Sequence, residues 1–111
     1  MKSDGQKIKL YLAEDNASLR DALSVGLARA GDVEITGRSE SGEEAVEACL
    51  EAPPDAILMD VQLAGRMNGI EAAIAIRREL PRLPVVFYSI QDDDSYYRDF
   101  RRSGILSHYA Y

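Results

Sequence analysis

The run Ala56-Ile-Leu-Met59 is apolar throughout, follows Pro53-Pro54 and ends on Asp60. Such a run is too short for a helix and reads as a strand buried on both faces, as in a parallel sheet packed between helices. In an open parallel sheet, ligands bind in the crevice beyond the carboxyl ends of the strands. Asp60, at a strand's exit, therefore stands at the functional edge of whatever fold this chain adopts.

The rest of the chain supplies the partners such a strand needs. Ile8–Ala13 reads as a first strand ending at Glu14-Asp15. Asn16 can cap a helix in which Leu19, Ala22, Leu23, Gly26, Leu27 and Ala30 recur at helical spacing, with Gly31 as the stop. Residues 32–36 alternate as a short second strand, and 37–42 read as a loop. Ser41 and Glu44 have capping-box spacing before a second helix closed by Pro53-Pro54. After Asp60, residues 61–69 form a loop with two glycines, and 70–80 a third helix bracketed by Pro81 and Pro84. Val85–Tyr88 is another apolar strand, running into Ser89. Tyr96, Tyr97, Phe100 and Arg101 suggest a fourth helix up to Gly104, and residues 105–111 a fifth strand. Strands alternating with helices imply βαβ units, and hence an α/β, doubly wound, flavodoxin-like sandwich with a five-stranded parallel sheet.

Composition narrows the function. A chain of 111 residues, 46% hydrophobic, builds one core, with residues 1–6 a disordered lead-in. A net charge of −6 argues against direct binding to nucleic acid, whose phosphates call for a basic surface. Neither a membrane span nor a secretory leader is visible, so the expected location is cytoplasmic. Cys49 is the only cysteine, which leaves no intrachain disulfide or cysteine-rich zinc site, and it reads as a small packing residue.

The exits of strands one, three and four share one edge of a parallel sheet, so Glu14, Asp15, Asp60 and Ser89 should converge. Three carboxylates so close repel one another unless a cation joins them or one takes up a proton. A few oxygen ligands favour Mg²⁺, and a carboxylate beside it can attack phosphorus to form an acyl phosphate. Ser89 could then hydrogen-bond a phosphoryl oxygen. Each residue alone has a plainer reading: Asp60 as a turn or cap, Glu14-Asp15 as a complement to a helix dipole, Ser89 as a cap. Capping does not account for their conjunction in this order. His108 and the acidic run Asp92 to Asp94 read as a surface or strand residue and a solvated helix start, while Tyr96, Tyr97, Tyr109 and Tyr111 divide between packing and a partner surface.

With these residues in place, the sequence resembles the receiver domain of two-component response regulators from about Lys7 to Tyr111. The likeness rests on Glu14-Asp15, on Ile57-Leu-Met-Asp60, on Asn68-Gly69-Ile-Glu71, and on Pro84-Val-Val-Phe-Tyr-Ser89. The resemblance implies that Asp60 accepts a phosphoryl group from a histidine kinase or phosphotransfer protein. It also implies that Glu14, Asp15, Asp60 and the main-chain carbonyl of Gln62 hold Mg²⁺, and that Ser89 contacts the phosphoryl group. Tyr109 is the candidate switch aromatic, with His108 or Tyr111 in its place if the register differs. Such a domain is a phosphoacceptor with self-catalysed transfer and autodephosphorylation, not otherwise an enzyme.

The sequence departs from the family pattern in three ways. The loop after Asp60 is one residue longer and lacks the usual proline. No lysine follows Lys9, so the family's strand-five lysine would fall at or just beyond Tyr111. A fifth helix is absent, which makes 7–111 a receiver-like domain incomplete at its C-terminal end, with an apolar face that a second copy could cover. Competing expectations are a phosphorylation-independent pseudo-receiver acting as a protein-binding module, and a Mg²⁺-dependent phosphohydrolase.

Overall fold

A computed structural model of the protein describes residues 6–88 and the backbone of residues 109–110. The elements run β1 Ile8–Ala13, α1 Ala17–Arg29, β2 Val33–Ser39, α2 Gly42–Glu51, β3 Ala56–Asp60, α3 Gly69–Glu79, β4 Val85–Tyr88 and β5 Tyr109–Ala110. All strand pairs are parallel, in the order β2-β1-β3-β4-β5. This is the flavodoxin-like order, in which the chain reverses direction across the sheet beside β1 and opens a crevice at the strand exits. The first five residues, Ser89, the expected fourth helix, His108 and Tyr111 lie outside the described residues.

Local chemistry starts each helix. The Asn16 side chain accepts the Leu19 N–H at 2.9 Å at the head of α1. At α3, Asn68 and Glu71 make a reciprocal capping box, each side chain accepting the other's backbone N–H. At α2, Ser41 Oγ accepts the Glu44 N–H, but the Glu44 carboxylate turns to the Ser41 hydroxyl instead of its backbone, so only half of the expected box forms. Gly31 ends α1 with φ of +85°, a conformation glycine takes without steric cost.

Among the described residues the main hydrophobic cluster lies on one side of the sheet. Tyr11, Ala13, Ile57, Met59, Val85 and Phe87 point from alternate strand positions into a cluster completed by Ala45 and Cys49 of α2 and Ile70, Ala73 and Ile76 of α3. Cys49 is fully buried there, as expected of a packing residue. On the other face Leu12 is buried, while Leu58 is half-buried and Val86 is 40% exposed. Full burial of β3 on both faces therefore does not hold: α1 packs on β1 and β2, and no other described helix covers β3 and β4 on that side.

The second strand also runs longer than its alternation suggested. β2 continues through Gly37 to Ser39, with a register shift opposite Leu10 and Tyr11 that skips Thr36. Gly37 belongs to the strand and not to a loop because it pairs with Tyr11. A Cβ at residue 37 would stand 2.7 Å from the Tyr11 ring. Among the described residues no helix is long and apolar enough to cross a membrane.

Candidate functional site

The strand register builds the site. β1 and β3 pair Ala13 with Met59, and β3 and β4 pair Asp60 with Tyr88, so the next residue of the first strand, Glu14, falls in one row with Asp60 and Tyr88. The Glu14 N–H extends the β1–β2 pairing by donating to the Ser39 carbonyl at 2.9 Å, and the Arg20 guanidinium donates to the Glu14 carbonyl at 2.8 Å. These bonds hold Glu14 in line with the strand, and its side chain is only 1% exposed. Oε2 accepts the Asn16 N–H at 2.8 Å and Oε1 accepts the Tyr88 hydroxyl at 2.5 Å. Asp15 lies exposed on the outer side.

Asp60 is 4% exposed, and its Oδ1 accepts the Gln62 N–H at 3.1 Å. The chain beyond it is clamped: the Val61 N–H donates to the Tyr88 carbonyl at 3.0 Å and the Gly69 N–H to the Val61 carbonyl at 2.8 Å. The intervening loop is tied to the start of α2. Ala64 pairs with Ser41, and the Glu43 carboxylate accepts the Arg66 N–H at 3.0 Å beside Gly65, whose φ is +90°. A glycine and an acidic clamp thus fix the course of this loop.

One carboxylate oxygen from each of Glu14, Asp15 and Asp60 lies within 4.8 Å of the others. The three predicted acids are therefore brought together. Ser89 and the side chain of Tyr109 lie outside the described residues, although the Tyr109 backbone pairs with Val85. Sequence reading missed Tyr88 and Glu43, and it gave Asn16 a capping role without its main-chain contact to Glu14. The alternation in Val85–Tyr88 held a signal for Tyr88, which must share the face of its register partner Asp60.

Crowding leaves its mark on the ionisation of these groups. Asp60 is pushed up to about 7, chiefly by burial; the Gln62 N–H pulls it down, and the charges of Glu14 and Asp15 push it further up. Asp15 is raised as well, first by desolvation and then by its hydrogen bond with and the charge of Glu14. The Tyr88 phenol is raised by burial, then by Glu14, and stays protonated as a donor. A separate groove of about 450 Å³, lined by Pro53, Pro54, Leu80, Pro81 and Pro84, opens at the opposite edge where β3 and β4 begin, and holds none of these acids.

A family model for the response regulator receiver domain matches residues 10–108, nearly the whole chain. The chain belongs to this receiver-domain family. Among curated relatives, the response regulator protein VraR of Staphylococcus saprophyticus is 34% identical over 91 residues, which cover 80% of this chain and 43% of that protein. VraR of Staphylococcus aureus is 36% identical over a segment of the same length. The matched segment therefore spans less than half the length of these two relatives. The response regulator domain of Thermotoga maritima CheB superposes with a TM-score of 0.77 at 29% identity, covering 89% of this chain and 74% of that one. A LuxR-family two-component response regulator from Aurantimonas gives a TM-score of 0.80 at 20% identity, covering 89% and 70%, and shows the shared fold.

The donor set of this receiver suits a hard divalent cation. All three side chains offer oxygen, and Mg²⁺ bonds of about 2.1 Å place ligand oxygens roughly 3 to 4 Å apart around one ion. The observed 4.8 Å span closes onto such an ion with small side-chain shifts or with a bridging water.

Proposed function

We propose that this receiver accepts a phosphoryl group on Asp60 from the phosphohistidine of a histidine kinase or phosphotransfer protein, with Mg²⁺ as cofactor, and that the modification switches binding to a downstream partner. What supports this reading is the buried Asp60 carboxylate grouped with Glu14 and Asp15 at the sheet edge of a chain in the receiver family. Glu14, Asp15, Asp60 and the main-chain carbonyl of Gln62 are the proposed cation ligands. When bound, the ion would offset the carboxylate charges and the charge developing on the phosphoryl oxygens.

The chain's own residues supply the rest. An Asp60 oxygen attacks phosphorus, the phosphorus–nitrogen bond breaks, and the imidazole leaves with its electron pair and takes up a proton. The Gln62 N–H on Oδ1 orients the carboxylate, and burial limits the water that would hydrolyse the acyl phosphate. Ser89 is the proposed phosphoryl contact and Tyr109 the proposed switch aromatic. Residues 7–111 form the receiver domain, led in by 1–6. Cytoplasmic residence and homodimer formation belong to the same proposal.

The test is incubation with acetyl phosphate or phosphoramidate and Mg²⁺, followed by intact mass. A single phosphoryl adduct that vanishes in Asp60→Asn is the expected result, and no adduct with any donor would count decisively against it. A second reading, a pseudo-receiver that works through protein contacts alone, draws on the lack of any lysine between Lys9 and Tyr111. Partner binding that is indifferent to Asp60→Asn would select it.

A further inference from the structure

We infer that Tyr88 is a positioning residue for the acid cluster: its phenol hydroxyl holds the Glu14 carboxylate in the pose that binds a divalent cation. The inference rests on the phosphoacceptor reading and adds to it a side chain from β4. Glu14 is 1% exposed, so its charge is compensated by neighbours and not by bulk water. Its two oxygens are engaged separately, Oε2 by the Asn16 N–H at 2.8 Å and Oε1 by the Tyr88 hydroxyl at 2.5 Å.

These two donors do different things. Asn16 belongs to the same turn as Glu14 and moves with it. Tyr88 reaches across from β4 to the end of β1, past the β3 residue Asp60 that is its register partner. Its carbonyl is anchored by the Val61 N–H at 3.0 Å, so the ring has a fixed base. The tyrosine thus ties Glu14 to the strand pair that carries the phosphoacceptor.

A hydroxyl suits this position. A neutral donor orients a carboxylate without cancelling the negative charge that attracts the cation, which an ammonium or guanidinium would do. Without the hydroxyl, Glu14 keeps one donor and regains freedom about its terminal torsion. Cation binding must then repay that ordering, and affinity falls.

The experiment is calorimetric titration of Mg²⁺ into the protein and into Tyr88→Phe, together with ¹⁹F NMR of protein carrying 3-fluorotyrosine, in which Tyr88→Phe assigns the Tyr88 resonance. The expected results are a Kd about tenfold weaker in Tyr88→Phe, consistent with loss of a hydrogen bond to a charged group. The Tyr88 resonance should also shift along the wild-type binding curve, a response that a merely packed ring would not give. Tyr11→Phe, which removes a phenol from the opposite sheet face, should leave the Kd within twofold. An unchanged Kd in Tyr88→Phe overturns the inference, and a tighter one shows the hydroxyl competing with the cation and overturns it too. Should Tyr88→Phe fail to fold, assignment passes to a protein labelled at position 88 alone: a Mg²⁺-dependent shift supports the inference and an immobile resonance overturns it. Wild-type protein that binds no Mg²⁺ removes the phosphoacceptor reading as well. Wild-type protein that binds Mg²⁺ and forms the adduct, beside an indifferent Tyr88→Phe, removes the positioning role alone.

Discussion

The α-carbon of Gly69 lies against the main-chain carbonyl of Asp60, so closely that a Cβ at residue 69 would stand 2.1 Å from that oxygen and 2.9 Å from the Met59 Cγ. The first residue of α3 is thereby packed onto the exit of β3. Since backbone atoms cannot yield as a flexible side chain can, Gly69→Ala should force the helix start away from the strand. The expected cost is about 2–4 kcal/mol, at the upper end for an overpacked site. Urea unfolding checks it, with Gly26→Ala as the contrast. Gly26 lies inside α1 with nothing within 4 Å of its would-be Cβ, so alanine there should stabilise by about 0.5–1 kcal/mol.

The raised Asp60 carboxyl gives the metal-free protein an unusual pH dependence. Its folded-state value of about 7 stands above the ordinary 3.8, so the fold binds this proton more tightly than the unfolded chain does. That contribution is fully present below the ordinary value and is lost as pH rises through about 7. Asp15 acts in the same direction. Stability without divalent cation should therefore fall between roughly pH 4 and 8 by an amount on the order of 1–4 kcal/mol. Asp60→Asn should remove most of the slope and be the more stable protein at pH 8. Chemical denaturation across this range, with and without Mg²⁺, is the measurement; Mg²⁺ should restore stability at the alkaline end.

Helix starts should matter more than surface ion pairs. Asn68 and Glu71 close a full capping box at 2.8 and 2.9 Å, whereas Asp21 and Arg38 pair at 2.7 Å with side chains 70% and 44% exposed. Asn68→Ala is expected to lower stability by about 1–2 kcal/mol. Asp21→Ala should cost less than about 0.5 kcal/mol, and that little should fade in added salt. Paired thermal melts at low and high ionic strength distinguish the two.

Cys49 offers a built-in monitor of opening. Its thiol is fully buried, and burial pushes it up to about 12, so almost no thiolate exists at neutral pH. Labelling by a thiol reagent at pH 8 should be slow in the native protein and accelerate with denaturant in step with unfolding. Fast labelling under native conditions would show that the α2 side of the core opens readily.

Much of this molecule was legible in its residues. β1 and β4 fall where their apolar runs lie, and Asn16 and Ser41 each cap the helix that follows. The acids expected to meet, Glu14, Asp15 and Asp60, do meet. These features were readable because they depend on two-residue and 3.6-residue periodicities, on hydrogen bonds across three or four positions, and on the rule that parallel strands share an exit edge.

Tertiary structure alone decided the rest. It carried β2 through Gly37, because only pairing with Tyr11 reveals where a Cβ has no room. It set the Glu43 clamp on Arg66, joining residues 23 positions apart, and the Tyr88 hydroxyl on Glu14, across 74. It also left Leu58 and Val86 partly open while burying Ile57 and Phe87, although all four look alike in sequence. The physical reason is common to these cases. Which face of a strand is covered, and which side chains meet across it, depend on register between segments remote along the chain, and no local propensity encodes that register.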